Sequence, residues 1–142
     1  MNRGDVSLLP LFVYGTLMSD GPRAGLLGRG RRRLGRVQGR LFAMPSGYPA
    51  LVLGSEGTVE GEVVEGLDES RMRMIDLYEG VPEGLYERVD VDVEIDGKST
   101  AAWAYVMRTP GARGGVPWPG NRWIQSRGAP NDERGDRGRR GR

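Results

Sequence analysis

The chain has 142 residues, 37% of them hydrophobic, with 24 Gly and neither Cys nor His. That length suits one domain, and the missing residue types remove thiol chemistry, His-based triads and the usual zinc and haem ligands, leaving carboxylates, hydroxyls, amines and backbone groups. The net charge of +2 arises in residues 127–142, where six Arg face three acids; the remainder, with 15 basic and 16 acidic residues, has no net positive charge with which to hold nucleic acid.

Residues 8–17 (LLPLFVYGTL) form a short apolar run rich in β-formers and read as a buried first strand. Residues 19–35 carry Asp-Gly, Pro, several Gly and the cluster Arg29, Arg31, Arg32 and Arg33, a loop with one helical turn around 24–27. Strands are expected at 36–43 (RVQGRLFA), 50–53 and 58–65 (TVEGEVVE), with a turn over 45–49. The period then changes: Leu67, Met74, Ile75 and Tyr78 fall on one face of a helix over 67–79, with Asp68 as N-cap and Gly80 just past its end. Val89, Val91, Val93 and Ile95 alternate with Asp90, Asp92, Glu94 and Asp96, a strand with one wet face. Asp96-Gly97 signals a hairpin whose return strand is 101–107 (AAWAYVM). Beyond Pro110, Gly and Pro recur, and Trp118 and Trp123 are expected to pin the C-terminal segment over a sheet edge. The pattern describes an α+β domain over 8–126 with a small, partly closed sheet, followed by a disordered Arg/Gly-rich tail, 127–142. No run approaches the roughly 20 apolar residues that cross a bilayer. The start is too short and polar for a signal peptide, so a cytoplasmic protein without membrane contact is expected.

Two features can carry chemistry. Glu79 ends a helix whose apolar face includes Ile75 and Tyr78, and Gly80-Val81-Pro82 follows at once. A carboxylate turned inward there is desolvated and opposed by the helix dipole, both of which raise its proton affinity toward that of a general base. The plainer alternative is an exposed helix-terminal Glu with no role. The second feature is Tyr14-Gly15-Thr16-Leu17 after the first strand, where Gly lets the backbone turn and successive amides can form an anion nest or an oxyanion hole. Here the alternative is a turn that merely ends a strand. It is not a nucleotide loop, since neither GxGxxG nor Gly-Lys-Ser/Thr is present.

Taken in order, FVYGTL (12–17), GYPAL (47–51), VEGEVVEGL (59–67), IDLYEGVPEGLYERVDVDV (75–93) and AAWAYVM (101–107) resemble the gamma-glutamylcyclotransferase-like family, in its small YGTL-bearing branch. The resemblance spans residues 11–107, with a weaker echo at 118–123. It implies a small mixed β-barrel with flanking helices and a cavity at one end. It also implies a cofactor-free and metal-free intramolecular aminolysis of a gamma-glutamyl amide or amine, giving 5-oxoproline and a free amine. The family's essential acid falls on Glu79. Its YGTL turn, Tyr14, Gly15, Thr16 and Leu17, would hold the gamma-glutamyl moiety through backbone groups, and Tyr86 and Tyr105 would line the pocket. Tyr48-Pro49 lines the cavity mouth or only shapes a turn. The Arg29–Arg33 cluster is a solvated loop, or it borders the cavity and favours an acidic leaving group. Competing with an enzyme are a non-catalytic small-molecule or protein-binding domain on the same barrel, and nucleic-acid binding through the Arg/Gly tail.

Overall fold

The computed structural model describes residues 9–28 and 31–125. The strictly alternating segment forms one arm of a hairpin: β4 (Glu87–Ile95) pairs antiparallel with β5 (Lys98–Val106), from Glu87 opposite Val106 to Ile95 opposite Lys98. Asp96 and Gly97 join them with positive φ at both positions, 51° and 79°, the two-residue turn that matches the twist of paired strands. Val91, Val93 and Ile95 turn inward and are buried.

Four further strands complete the sheet: β1 (Leu11–Val13), β2 (Arg32–Ala43), β3 (Pro49–Val64) and the short β6 (Val116–Pro117). β1 lies antiparallel to β3 and parallel to β5, while β2 pairs antiparallel with both β4 and β3. The circuit β3-β1-β5-β4-β2 therefore returns to β3, a closed five-stranded mixed barrel, with β6 added at the end of β2 opposite Phe42 and Ala43. Closure leaves no free edges within that circuit, and its interior holds Phe12, Leu41, Leu51, Val63 and Val93. One α-helix, α1 (Glu69–Tyr78), and 3-10 turns at Ala24–Leu27 and Pro110–Arg113 flank it. Among the described residues no helix is long and apolar enough to cross a membrane.

Several boundaries differ from the sequence reading. The first strand is confined to Leu11–Val13, because Tyr14 onward turns away. β2 starts at Arg32, inside the expected loop, and the two strands expected at 50–53 and 58–65 are one, β3. The pairing with β2 jumps from Thr58 opposite Gln38 to Leu53 opposite Gly39, so residues 54–57 are taken up as a bulge rather than a break. Trp118 and Trp123 do pack together, at 4.6 Å between ring centroids, and the Trp118 N–H donates to the Leu41 carbonyl at 2.9 Å. The beginning of the chain through Leu8, Arg29 and the Arg/Gly-rich tail lie outside the described residues.

The helix face also differs. Asp68 caps α1 as expected, accepting from the Arg71 N–H at 2.8 Å. Its buried residues, however, are Met72 and Ile75, whereas Met74 is 53% and Tyr78 38% exposed. Extending the 72–75 stripe by one turn reaches Glu79, so the core-facing side of the helix ends on a carboxylate. Met72→Ala should cost about 2–5 kcal/mol, and Met74→Ala no more than about 0.5 kcal/mol. Urea unfolding of the two variants separates this orientation from one in which Met74 faces the core.

Candidate active site

α1 stops where Gly80 takes φ +74°. The Gly80 N–H donates to the Leu77 carbonyl at 3.1 Å and the Val81 N–H to the Asp76 carbonyl at 3.0 Å, the paired bonds of a Schellman terminus. A side chain at Gly80 would be strained at that φ, and its Cβ would stand 3.1 Å from the Leu85 Cβ. Glu79 is the residue just before this stop, fixed by its own N–H bond to the Ile75 carbonyl at 2.8 Å.

Glu79 lines a cavity of about 190 Å³ at one end of the barrel. All seven residues singled out in the sequence, Tyr14, Gly15, Thr16, Leu17, Glu79, Tyr86 and Tyr105, line this same cavity. Tyr48 and Pro49 also line it. Among the described residues Glu79 is its one charged lining residue. Burial raises the Glu79 carboxyl to about pKa 7. A single carboxylate supplies too few oxygens to hold a divalent cation.

The three buried tyrosines act as walls. The Tyr14 hydroxyl donates to the Tyr105 carbonyl at 2.7 Å and accepts from the Leu51 N–H at 3.2 Å. Those of Tyr86 and Tyr105 donate to the Pro49 carbonyl and to Asp76 Oδ1, each at 2.6 Å. Burial, reinforced by neighbouring negative or phenolic groups including Glu79, pushes all three phenols upward in pKa. Each single hydroxyl proton is already committed to a protein acceptor, so none of the three is placed to act as an acid.

The turn after β1 has the opposite polarity. Its carbonyls are taken: Gly15 by the Met18 N–H and by Gln125 Nε2, Thr16 by the Arg23 N–H, and Leu17 by Arg32 Nη1. The N–H groups of Gly15, Thr16 and Leu17 have no acceptor among the described residues. Gly15 is required here for close approach, since a Cβ would meet Pro49 Cγ at 2.7 Å. Beneath the turn, buried Glu62 accepts from the Ser19 N–H at 2.7 Å, the Ser19 hydroxyl at 2.6 Å and Arg32 Nη1 at 2.7 Å. Desolvation alone would raise the Glu62 carboxyl, but the Ser19 and Arg32 hydrogen bonds outweigh it and hold its pKa low.

Sequence reasoning missed this clamp and a second one behind α1. Asp76 accepts from Tyr105 and pairs with Arg88, Nε to Oδ1 at 3.0 Å, while the Arg88 guanidinium lies 4.7 Å from the centre of the Trp103 ring. The available signals were slight: Asp76 stands three residues before Glu79, and Glu62 interrupts a run otherwise buried on both faces. The arginine cluster is elsewhere. Arg32 and Arg33 pair with Glu62 and Glu65, Arg31 lines a separate cleft with Gly66 and Asp68, and none of the three lines the cavity.

A family model described as gamma-glutamyl cyclotransferase, AIG2-like, matches residues 11–125. The chain belongs to this family. A gamma-glutamylaminecyclotransferase from Bos taurus is 30% identical over 114 residues, covering 72% of this chain and 66% of its own length. Among solved structures, YkqA from Bacillus subtilis superposes with a TM-score of 0.66 at 29% identity, over 81% of this chain and 39% of that one. An AIG2-like protein from Mus musculus gives 0.69 at 24% identity, over 82% and 88%. The chain thus spans just under two thirds of the bovine relative and well under half of YkqA. As a cyclotransferase-family barrel, it combines one uncompensated carboxylate with a turn of unpaired amides.

Two consequences can be measured. The folded chain binds the Glu79 proton up to about pH 7, the unfolded chain only to about 4.5, so stability falls as pH rises through that window and stays lower above it. Glu79→Gln should therefore be more stable than the wild type at pH 8 by about 1–2 kcal/mol, the shift being discounted for partial exposure, with the gain disappearing near pH 4. Thermal melts across pH check this. Glu62 has the reverse sign: its contribution is present above the unfolded carboxyl's pKa and is lost as acidification protonates the folded one. Arg32→Ala should cost about 2–4 kcal/mol at neutral pH by leaving a buried carboxylate unpaired. Denaturant midpoints should show that penalty shrinking below about pH 4.

Proposed function

We propose that the chain is a gamma-glutamylcyclotransferase-type enzyme that cyclises a gamma-glutamyl amide or amine to 5-oxoproline and releases the free amine. The observation that carries the reading is Glu79, a half-buried carboxylate with no cation beside it in the cavity among the described residues, raised to about pKa 7. Mere ligand binding on the same barrel gains nothing from a carboxyl poised near neutrality, whereas a general base does.

The substrate holds its own nucleophile, the alpha-amine, within reach of the gamma-carbonyl carbon. Folding the glutamyl chain between the aromatic walls brings the two together, and the bimolecular cost of amide aminolysis is removed. Glu79 takes a proton from the alpha-ammonium, and the freed nitrogen forms the lactam C–N bond. The negative charge on the former carbonyl oxygen is met by the unpaired amides of the 15–17 turn. Glu79 then returns that proton to the departing nitrogen as the original amide C–N bond breaks, and the second proton shed by the attacking nitrogen passes to the released amine, which leaves as its ammonium. Proton count is conserved, and a single carboxyl group serves as base and then acid.

Glu79→Gln keeps the side chain's shape and removes its basicity. It should lower kcat by about 10²- to 10⁴-fold, read as 5-oxoproline release from a panel of gamma-glutamyl amines and amino acids. For the wild type, kcat/KM should fall tenfold per pH unit below about 7, the value to which burial raises the free carboxyl. Turnover that survives Glu79→Gln would contradict the assignment.

A further inference from the structure

The cavity has a buried floor and an apolar rim. Phe12, Tyr14, Tyr86 and Tyr105 are buried, while Tyr48, Tyr78 and Leu85 line the same cavity and remain 46%, 38% and 41% exposed. The rim is held in place on both sides. The Thr16 and Tyr78 hydroxyls share a hydrogen bond of 3.1 Å, and the Leu85 N–H donates to the Gly80 carbonyl at 3.0 Å. Large apolar side chains grouped in solvent around a cavity mouth mark a surface that something else covers.

The size and charge of the cavity say what that is. At about 190 Å³ it is smaller than the roughly 300 Å³ from which pockets for whole drug-sized ligands begin, so a glutamyl moiety fills it and the group beyond the amide lies at the rim. Among the described residues no cation lines the cavity, and Glu79 is its one charge. A carboxylate on the carbon next to the amide nitrogen would meet apolar side chains and a like charge. Arg108 and Arg113 line a neighbouring cleft that shares Leu85 and Tyr86, but they are engaged there with Glu87 and the Gly84 carbonyl.

Building on the cyclisation reading, we infer that Tyr48, Tyr78 and Leu85 form the subsite for the departing amine and select amines that are apolar or aromatic beside the amide and carry no carboxylate there. They are specificity-determining residues, outside the proton transfer itself.

The test is 5-oxoproline release from gamma-glutamylphenethylamine, gamma-glutamylisoamylamine, gamma-glutamylmethylamine and gamma-glutamylalanine. The inference predicts that kcat/KM for the first two exceeds that for the methylamine conjugate by about 10- to 100-fold, with gamma-glutamylalanine poorest. Leu85→Arg should lower the ratio of phenethylamine to alanine conjugates by at least about tenfold, by supplying the missing cation. Tyr48→Ser, at an equally exposed position, should reduce the aromatic preference separately. Equal rates across the panel, or a preference for gamma-glutamylalanine, would overturn the inference while leaving cyclisation standing. Turnover of no member would overturn the cyclisation reading and the inference with it.

Discussion

A carboxylate without a counter-ion among the described residues, half withdrawn from water, is the constraint around which this end of the barrel is built. Desolvation makes ionisation of Glu79 costly, and the group would escape to solvent if its backbone were free to turn. The Schellman terminus denies that freedom. Two carbonyl acceptors, Leu77 and Asp76, and a glycine at φ +74° fix the last turn of α1, and Met72 and Ile75 anchor the face that leads to it. The Asp76–Arg88 pair and the Tyr105 hydroxyl tie the outer side of the same turn to the hairpin. Stability is given up at one residue and recovered by its neighbours, as expected where a site needs an unfavourable charge.

The same logic orders the polarity of the 14–17 turn. A peptide segment presents a donor and an acceptor at every residue, and a binding surface needs one of these turned toward the ligand. Here Gln125, Arg32, Arg23 and Met18 consume the carbonyls. The amides of Gly15, Thr16 and Leu17 have no acceptor among the described residues, as the proposed reaction requires of groups that meet an oxygen. The Glu62–Ser19–Arg32 cluster makes this arrangement rigid from beneath, which links a buried ion pair in the barrel wall to preorganisation at the cavity.

Much of this was legible in the sequence, for identifiable reasons. The alternation from Val89 to Ile95 and the Asp96-Gly97 turn follow from local rules, and the hairpin formed as those rules require. Glu79 and the YGTL turn are weak signals taken singly, and their order along the chain with the segments at 47–51, 59–67, 75–93 and 101–107 is what singles them out. What local pattern did not carry was tertiary. Met74 and Met72 each fit a helical stripe, and only the barrel decides which side is covered. The strand at 58–65 could not be joined to that at 50–53 across residues 54–57, because a bulge is defined by its partner strand. The arginine run looked like one basic patch, yet alternate residues of a strand point to opposite faces, and Arg32 and Arg33 go to different glutamates.

The central claim is that burial keeps the Glu79 carboxyl protonated to near neutrality. Titration of the side-chain carboxyl carbons by NMR, with Glu79 identified by its loss in Glu79→Gln, measures this without a substrate. The account predicts a midpoint near 7 for Glu79, well above the 4.5 of an ordinary glutamate. A midpoint at or below 4.5 would mean that the carboxylate is solvated or paired, and would remove the basis for its role as the base.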